Sequence, residues 1–155
     1  MVYQAVRADI MACRLAPGAG IDATETAARF GVSKTPVRDA MKRLALENLV
    51  EVLPRSGYRV KRITFQAVHE LLDLRAALGP HAARMAAAYV TADEIRTLRE
   101  IVASGYEAMS SQLDIQSAAR RFHVAVARAS RNERLALLTD NLFEELERVL
   151  RLSVD

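Results

Sequence analysis

The chain of 155 residues has a single cysteine and no long apolar run. Since Cys13 has no second cysteine to pair with, no disulfide can form within the chain, and disulfide-stapled secreted domains are excluded. No stretch of about eighteen apolar residues is available to span a bilayer, and the N-terminus lacks the charged and then apolar order of a secretion signal. We therefore expect a cytoplasmic protein with no membrane partner, in which Cys13 is a buried thiol on the first helix.

Histidine is scarce as well, with three in the whole chain. His69, His81 and His123 are far apart in the sequence, whereas a metal hydrolase needs ligands clustered at defined spacings. The sequence thus predicts neither an enzyme nor a bound cofactor. Its 51% hydrophobic and 26% charged residues are typical of a globular protein with one domain or two small ones.

Positive charge is concentrated in the first part of the chain. Residues 1–62 contain eleven lysines and arginines against six acidic residues, whereas residues 63–155 contain eleven against thirteen. Basic residues that neutralise phosphates are the main source of nonspecific affinity for DNA. The segregation favours a basic DNA-binding domain followed by a near-neutral one.

The stretch 31–44 predicts a helix with one apolar face and one basic face. Lys34, Arg38 and Lys42 recur every fourth residue, which places them on one side of a helix. The opposite side is predicted to be buried and consists of Val37, Ala40, Met41 and Leu44. This combination is typical of a helix that reads DNA.

Local signals mark the start of this helix. Gly31 supplies a turn, and Pro36 fits the first helical turn, where its missing N–H would have no partner. Ser33 or Thr35 is placed to cap the free N–H groups. The helix is therefore expected to begin where its first turn can meet phosphates.

The surrounding pattern is helix, helix, helix, hairpin. A capping box at Asp22–Glu25 opens the second helix, and Asn48 is suited to end the third in a left-handed conformation. Two β-prone segments flank a turn at 54–57 and predict a hairpin. Residues 1–62 are therefore predicted to form a winged helix-turn-helix of three helices and a β-hairpin wing. The predicted elements are helices at 2–13, 22–30 and 34–47 and strands at 49–53 and 58–61.

Helical periodicity continues through residues 63–155 and predicts an all-α bundle, so the fold class is mainly α. Gly79–Pro80 is expected to kink or interrupt the first of these helices. Apolar residues keep helical spacing almost to Asp155 without a cap, so we expect either that the bundle is shortened or that its apolar seam is covered by a second copy. The last helix is predicted to carry that seam at Leu135, Leu138, Leu142, Leu146 and Val149.

Several segments carry a family resemblance. Arg14–Gly18, Ala27–Arg38, Leu49–Glu51 and Arg55–Gly57 together resemble the GntR family of bacterial transcription regulators, over nearly all of residues 2–62. The later segments resemble the FadR-type branch of that family, whose second domain is an all-helical bundle that binds an effector. These later segments are Glu70–Arg75, Ala82–Ala87, Phe122–His123 and Ala129–Asn132.

The resemblance implies that the turn and the start of the third helix contact the major groove, while the wing tip reaches the minor groove or the backbone. By position it implies DNA contacts from Ser33, Lys34, Thr35, Arg38, Arg55 and Gly57. The usual arginine of the family is a lysine at position 34, where a phosphate contact is expected. Arg38 has the geometry to grip a guanine with two hydrogen bonds.

In FadR-type domains the bundle encloses a pocket for a small acid, and many members hold a divalent metal there through one aspartate and three histidines. His123 matches the first of those histidines, but Ala119 stands at the aspartate position. No metal site is therefore expected. Arg75 and His123 are the candidates for an effector pocket, and the alternative for Arg75 is an ion pair with an acid such as Asp73.

The combined prediction is a sequence-specific DNA-binding transcription regulator, acting as a metabolite-responsive repressor. Its expected partners are double-stranded DNA at a palindromic operator, a small organic acid and a second copy in a homodimer. Residues 1–62 would bind DNA, and residues 63–155 would bind the effector and dimerise. The alternative is a degenerate helical adaptor or dimerisation protein that modulates an intact relative.

Overall fold

The computed structural model describes residues 1–54, 57–107 and 112–152. The chain divides into two compact units, Met1–Ile63 and Thr64–Asp155, called here the N-terminal unit and the helical unit. None of the described helices is long and apolar enough to cross a membrane.

The N-terminal unit is a winged helix-turn-helix, as predicted. Its three strands are antiparallel in the order β1, β3, β2, with Val52 opposite Tyr58 and Glu51 opposite Arg59 in the hairpin. The strand β1 was missed because two residues beside a run of turn formers give no strand pattern. The strand β3, which contains Arg59, is the central one. The elements are α1 (Val2–Met11), β1 (Gly20–Ile21), α2 (Ala23–Phe30), α3 (Lys34–Leu46), β2 (Val50–Leu53) and β3 (Gly57–Val60).

Short-range signals set the bounds of α2 and α3. The Asp22 carboxylate accepts hydrogen bonds from the Thr24 and Glu25 N–H groups at 2.6 and 2.8 Å, so it caps α2 as predicted. Gly31 ends α2 at φ 63°. Asn48 follows α3 at φ 61°, which confirms the predicted left-handed conformation.

Two local predictions in this unit are wrong. The helix α1 ends at Met11, and Cys13 lies beyond it at φ 57°, so its thiol is half-buried instead of continuing the apolar stripe. Ser33 occupies the cap position of α3, but its side chain makes no capping hydrogen bond. Its hydroxyl is therefore not committed to the helix end.

One continuous core holds the N-terminal unit together. It joins the apolar sides of α1 and α3 to the inner face of the sheet, and Val37, Met41 and Leu44 at its centre have no exposed surface. The buried side predicted for α3 is thereby confirmed. The full set is Val2, Val6, Ile10, Met11, Ile21, Ala27, Val37, Ala40, Met41, Leu44, Leu49, Val50 and Val60.

The helical unit contains α4 (Phe65–Ala87), α5 (Ala92–Glu107), α6 (Gln112–Ala129) and α7 (Glu133–Arg151). The side chains of Thr64, Thr91 and Asn132 accept hydrogen bonds from the N–H groups at the starts of α4, α5 and α7. The helix α4 is assigned without interruption through Pro80, so Gly79–Pro80 does not end it. Met109, expected on the apolar side of α5, lies outside the described residues.

The buried face of α7 includes most of the predicted seam. Leu135, Leu142 and Leu146 are buried and Val149 is half-buried, but Leu138 is 56% exposed. The face also includes Ala136, Thr139 and Phe143. Spacings of three and four residues do not show which positions are covered, because packing against the other helices decides it.

Candidate functional site

The N-terminal turn of α3 is exposed. Ser33, Lys34, Thr35 and Arg38 are all exposed there, while the opposite side of the helix is buried in the core. Free N–H groups and the positive end of the helix dipole lie at this turn. The turn can therefore present hydroxyls, cationic side chains and backbone donors to an anionic surface.

Most basic side chains of the N-terminal unit are held by neighbours. Arg14 and Arg29 both pair with Asp9, at 2.7 and 2.9 Å, and the Arg43 guanidinium lies 3.9 Å above the Tyr3 ring. Such contacts fix these cations to their own fold. The other partnerships are Arg7 with Glu47, Lys42 with Asp39, Arg59 with Glu51, and Lys61 with Asn48.

Lys34 and Arg38 are exceptions. Within the described part of the chain neither makes a hydrogen bond or an ion pair. Among the described basic residues of this unit, Arg62 also makes neither. Lys34 and Arg38 lie one turn apart on the same helix face. Their charges are therefore available to a ligand.

The far end of α3 is anchored to α1. Tyr3 and Arg7 of α1 both donate hydrogen bonds to the Glu47 carboxylate, and Arg43 stacks on Tyr3. Burial raises the pKa of Tyr3, and the Glu47 hydrogen bond and charge raise it further. This anchoring fixes the orientation of the N-terminal turn relative to the core.

The buried carboxylate of Asp9 connects three segments of the unit. Burial raises its pKa, but hydrogen bonds from Arg14 and Arg29 outweigh burial, so the pKa lies below the ordinary 3.8. Asp9 is therefore ionised at neutral pH and ties α1 to α2 and to the turn between them. The helix preceding the turn is thus fixed as firmly as α3.

Gly57, at the start of β3 in the wing, is required by the conformation and packing of its own sheet. Its φ is 89°, and a Cβ at this position would lie 3.3 Å from the Ile21 carbonyl oxygen of β1. Both facts favour glycine, and the close backbone it meets belongs to its own sheet. Arg55, the other predicted wing contact, lies outside the described residues.

In the helical unit, Arg75 and His123 meet at one aromatic ring. The His123 ring stacks on Phe143 with centroids 4.6 Å apart, and the Arg75 guanidinium lies 5.5 Å from the centroid of the same ring. Burial lowers the pKa of His123 below its ordinary 6.5, and the charge of Arg75 lowers it further. His123 is therefore neutral at neutral pH and can donate only one hydrogen bond.

A cavity of about 310 Å³ lies between α5 and α6. His123, Tyr106 and Phe122 line it, and its remaining walls are aliphatic. Arg75 does not line it, so the two predicted effector residues come together at Phe143 and not in one cavity. No cluster of three or more metal-ligating side chains is found among residues 1–54, 57–107 and 112–152.

The comparison with known families matches this architecture. Residues 1–60 match the family described as "Bacterial regulatory proteins, gntR family", and residues 70–155 match the FCD domain family. The chain therefore belongs to the FCD domain family and carries the helix-turn-helix domain of the GntR family before it. Both families consist of transcription regulators, not enzymes.

Individual relatives agree with that membership. The HTH-type transcriptional repressor RspR of Escherichia coli is 33% identical over 99 residues, which cover 64% of this chain and 43% of RspR. The Uxu operon regulator of Haemophilus influenzae is 35% identical over 132 residues, which cover 77% of this chain and 49% of the regulator. The chain thus spans about half the length of these curated relatives.

A solved structure supports the fold. E. coli McbR/YncC aligns with a TM-score of 0.71 at 22% identity, covering 97% of this chain and 72% of the other. At this identity the likeness concerns the fold alone.

Proposed function

We propose that the protein is a DNA-binding transcription regulator in which the N-terminal turn of α3 enters the major groove. The supporting observation is that Lys34 and Arg38 are exposed and make no hydrogen bond or ion pair with the described residues, whereas most other cations of their unit are paired. Arg38 reads a base edge, and Lys34, Ser33 and Thr35 meet phosphates. In the wing, Arg55 contacts DNA, and Gly57 lets the hairpin approach the DNA backbone closely.

The experiment begins with duplexes selected from genomic fragments by the purified chain. Fluorescence anisotropy then measures affinity for a selected and a scrambled duplex at several salt concentrations. The Arg38→Ala variant is expected to lose roughly 5- to 150-fold in affinity for the selected duplex and much less for the scrambled one, because a bidentate base contact contributes about 1–3 kcal/mol. Lys34→Ala should weaken both equally and reduce the salt slope by about one.

Lys42→Ala is the matched control. Lys42 lies on the same helix but pairs with Asp39 at 3.4 Å, and we expect its removal to change affinity less than either variant. If all three variants bind as the parent does, α3 is not the reading helix. If the folded parent binds no duplex at low salt, the adaptor function becomes the better proposal.

We further infer that the chain acts as a homodimer on a palindromic operator. Large apolar side chains of the helical unit are exposed, Phe65, Tyr106 and Leu137 among them, and such surfaces mark interaction sites. A two-fold dimer places two reading helices on successive half-sites. Sedimentation velocity at micromolar concentration should give a dimer, and a monomer on and off DNA would contradict this.

The proposed mode of action is repression relieved by a small organic acid. RspR bears the name repressor, and the FCD match supports an effector-binding role for residues 70–155. Arg75 and His123 are the candidate contacts to the acid. Operator affinity measured with and without candidate acids tests this, and an affinity that no acid changes would remove the effector step.

A further inference from the structure

A second cleft of the helical unit lies between α5, α6 and α7, with a volume of about 410 Å³. Its floor is apolar and comes from Ile101, Val124 and Ala125. Charged side chains surround this floor. His123 lines a different cavity, so the cleft is separate from the candidate effector residues described above.

The carboxylates at the cleft are already engaged. Glu94 accepts two hydrogen bonds from the Arg131 guanidinium, at 2.6 and 2.8 Å, and Asp140 accepts one from Arg120 at 2.7 Å. Arg120 also lies 3.4 Å from Glu147. Each carboxylate of the lining therefore has an arginine partner, and Arg120 is committed to its acidic neighbours Asp140, Glu144 and Glu147.

Arg121 and Arg128 also line the cleft and have no such partners. Both side chains are exposed, and among the residues the structure describes neither makes a hydrogen bond or an ion pair. They are seven residues apart on α6, so they share a face and are separated by about 10 Å along the helix axis. The hydroxyl of Thr97 donates to the Asp93 carbonyl, which leaves the guanidinium groups as the cleft's free donors.

We propose that this cleft binds a small organic dianion that carries one oxyanion at each end. A guanidinium presents paired N–H donors that fit a carboxylate or a phosphate, and Arg121 and Arg128 supply two of them. The short apolar middle of the ligand lies over Ile101 and Val124. The site needs no DNA, so it stands apart from the function proposed for α3.

Isothermal titration of the full chain tests the site with three probes: glutarate, 3-phosphonopropionate and neutral glutaramide. Saturable binding of at least one of the two anions is expected, and no binding of glutaramide. The glutarate and 3-phosphonopropionate arms distinguish a preference for two carboxylates from a preference for a phosphate-like group. The double variant R121Q/R128Q should bind about tenfold more weakly or worse, because each charge-assisted hydrogen bond is lost.

One control places the binding. Arg134→Gln removes an exposed arginine outside the cleft and should bind the dianion as the parent does. The dianion should raise the melting temperature of the parent and leave that of R121Q/R128Q unchanged, which also reports whether the double variant folds. Absence of binding by the parent, or equal binding by the double variant, would overturn the site. DNA binding is measured separately and is unaffected by either outcome.

Discussion

The N-terminal unit and the helical unit bury their apolar side chains differently. The N-terminal unit has one core that spans its three helices and its sheet, with long aliphatic side chains at the centre. The helical unit is longer, but its described residues form two small clusters, one of them largely of alanines, Ala82, Ala127 and Ala136. Most of the chain's exposed large apolar residues also belong to it.

The difference separates two tasks. A helix that reads DNA must hold its side chains in a fixed register, which a large core and anchors such as Tyr3–Glu47 provide. A unit that binds ligands or a second copy keeps clefts and exposed apolar surface. Substitutions at matched positions in the two units test this contrast.

The largest effect is expected from buried leucines. Leu44 has no exposed surface and Leu46, two residues later on α3, is 88% exposed. Leu44→Ala should lower the free energy of unfolding by about 2–5 kcal/mol, whereas Leu46→Ala should change it by less than about 0.5 kcal/mol. Urea unfolding followed by circular dichroism measures both.

The corresponding buried and exposed leucines of the helical unit are Leu135 and Leu138. We expect a smaller difference between Leu135→Ala and Leu138→Ala, because the cluster around Leu135 is small and its neighbours can relax. A difference as large as that between positions 44 and 46 would remove the contrast between the units.

An intermediate effect is expected at the contact of α5 with α6. A Cβ at Gly105 would lie 2.9 Å from the Ala118 Cβ, so Gly105→Ala should force the helices apart and cost about 1–3 kcal/mol. Gly79 is the control, since it lies inside α4 with nothing within 4 Å of its Cβ position. Gly79→Ala should stabilise the chain by about 0.5–1 kcal/mol, and thermal unfolding should shift in opposite directions for the two variants.

The smallest effect is expected from the exposed Glu94–Arg131 pair. Hydrogen bonds from Arg131 and from the Thr91 N–H lower the pKa of Glu94 to about 2, below the ordinary 4.5. Because the pKa of Glu94 is lower in the folded state, its ionised carboxylate stabilises the fold above pH 4.5. This stabilisation is lost as the pH falls toward 2. Glu94→Gln should therefore lower the melting temperature at neutral pH, and the difference from the parent should shrink between pH 4.5 and 2.

Glu100→Gln is the control for that measurement, since Glu100 is an exposed acid of the same helix. It should leave the melting temperature unchanged at every pH. A difference for Glu94→Gln that stayed constant across the acid range would show that the charge of Glu94 is not responsible.

The elements that the sequence predicted well depend on short-range physics. The capping side chain of Asp22, the left-handed Asn48 and the hairpin around positions 54–57 each follow from neighbouring residues. The buried side of α3 also follows from periodicity alone.

The elements that were missed depend on distant contacts. Ile21 becomes a strand residue only because β3 pairs with it, and Leu138 is exposed because the packing of α7 leaves this one position of the predicted seam uncovered. The partners of the basic residues were equally hidden, since Arg7 and Glu47 are forty positions apart. For the same reason the cleft beside Arg121 and Arg128 has no signal in the sequence.

The central claim is that the first turn of α3 lies against DNA, and photo-cross-linking tests it most directly. A photoreactive amino acid is placed at Thr35, or as control at Leu46, which is also exposed but lies at the other end of the same helix. We predict efficient cross-links from position 35 to a selected duplex and almost none from position 46. Cross-links from position 46 alone, or equal yields from both, would contradict the account.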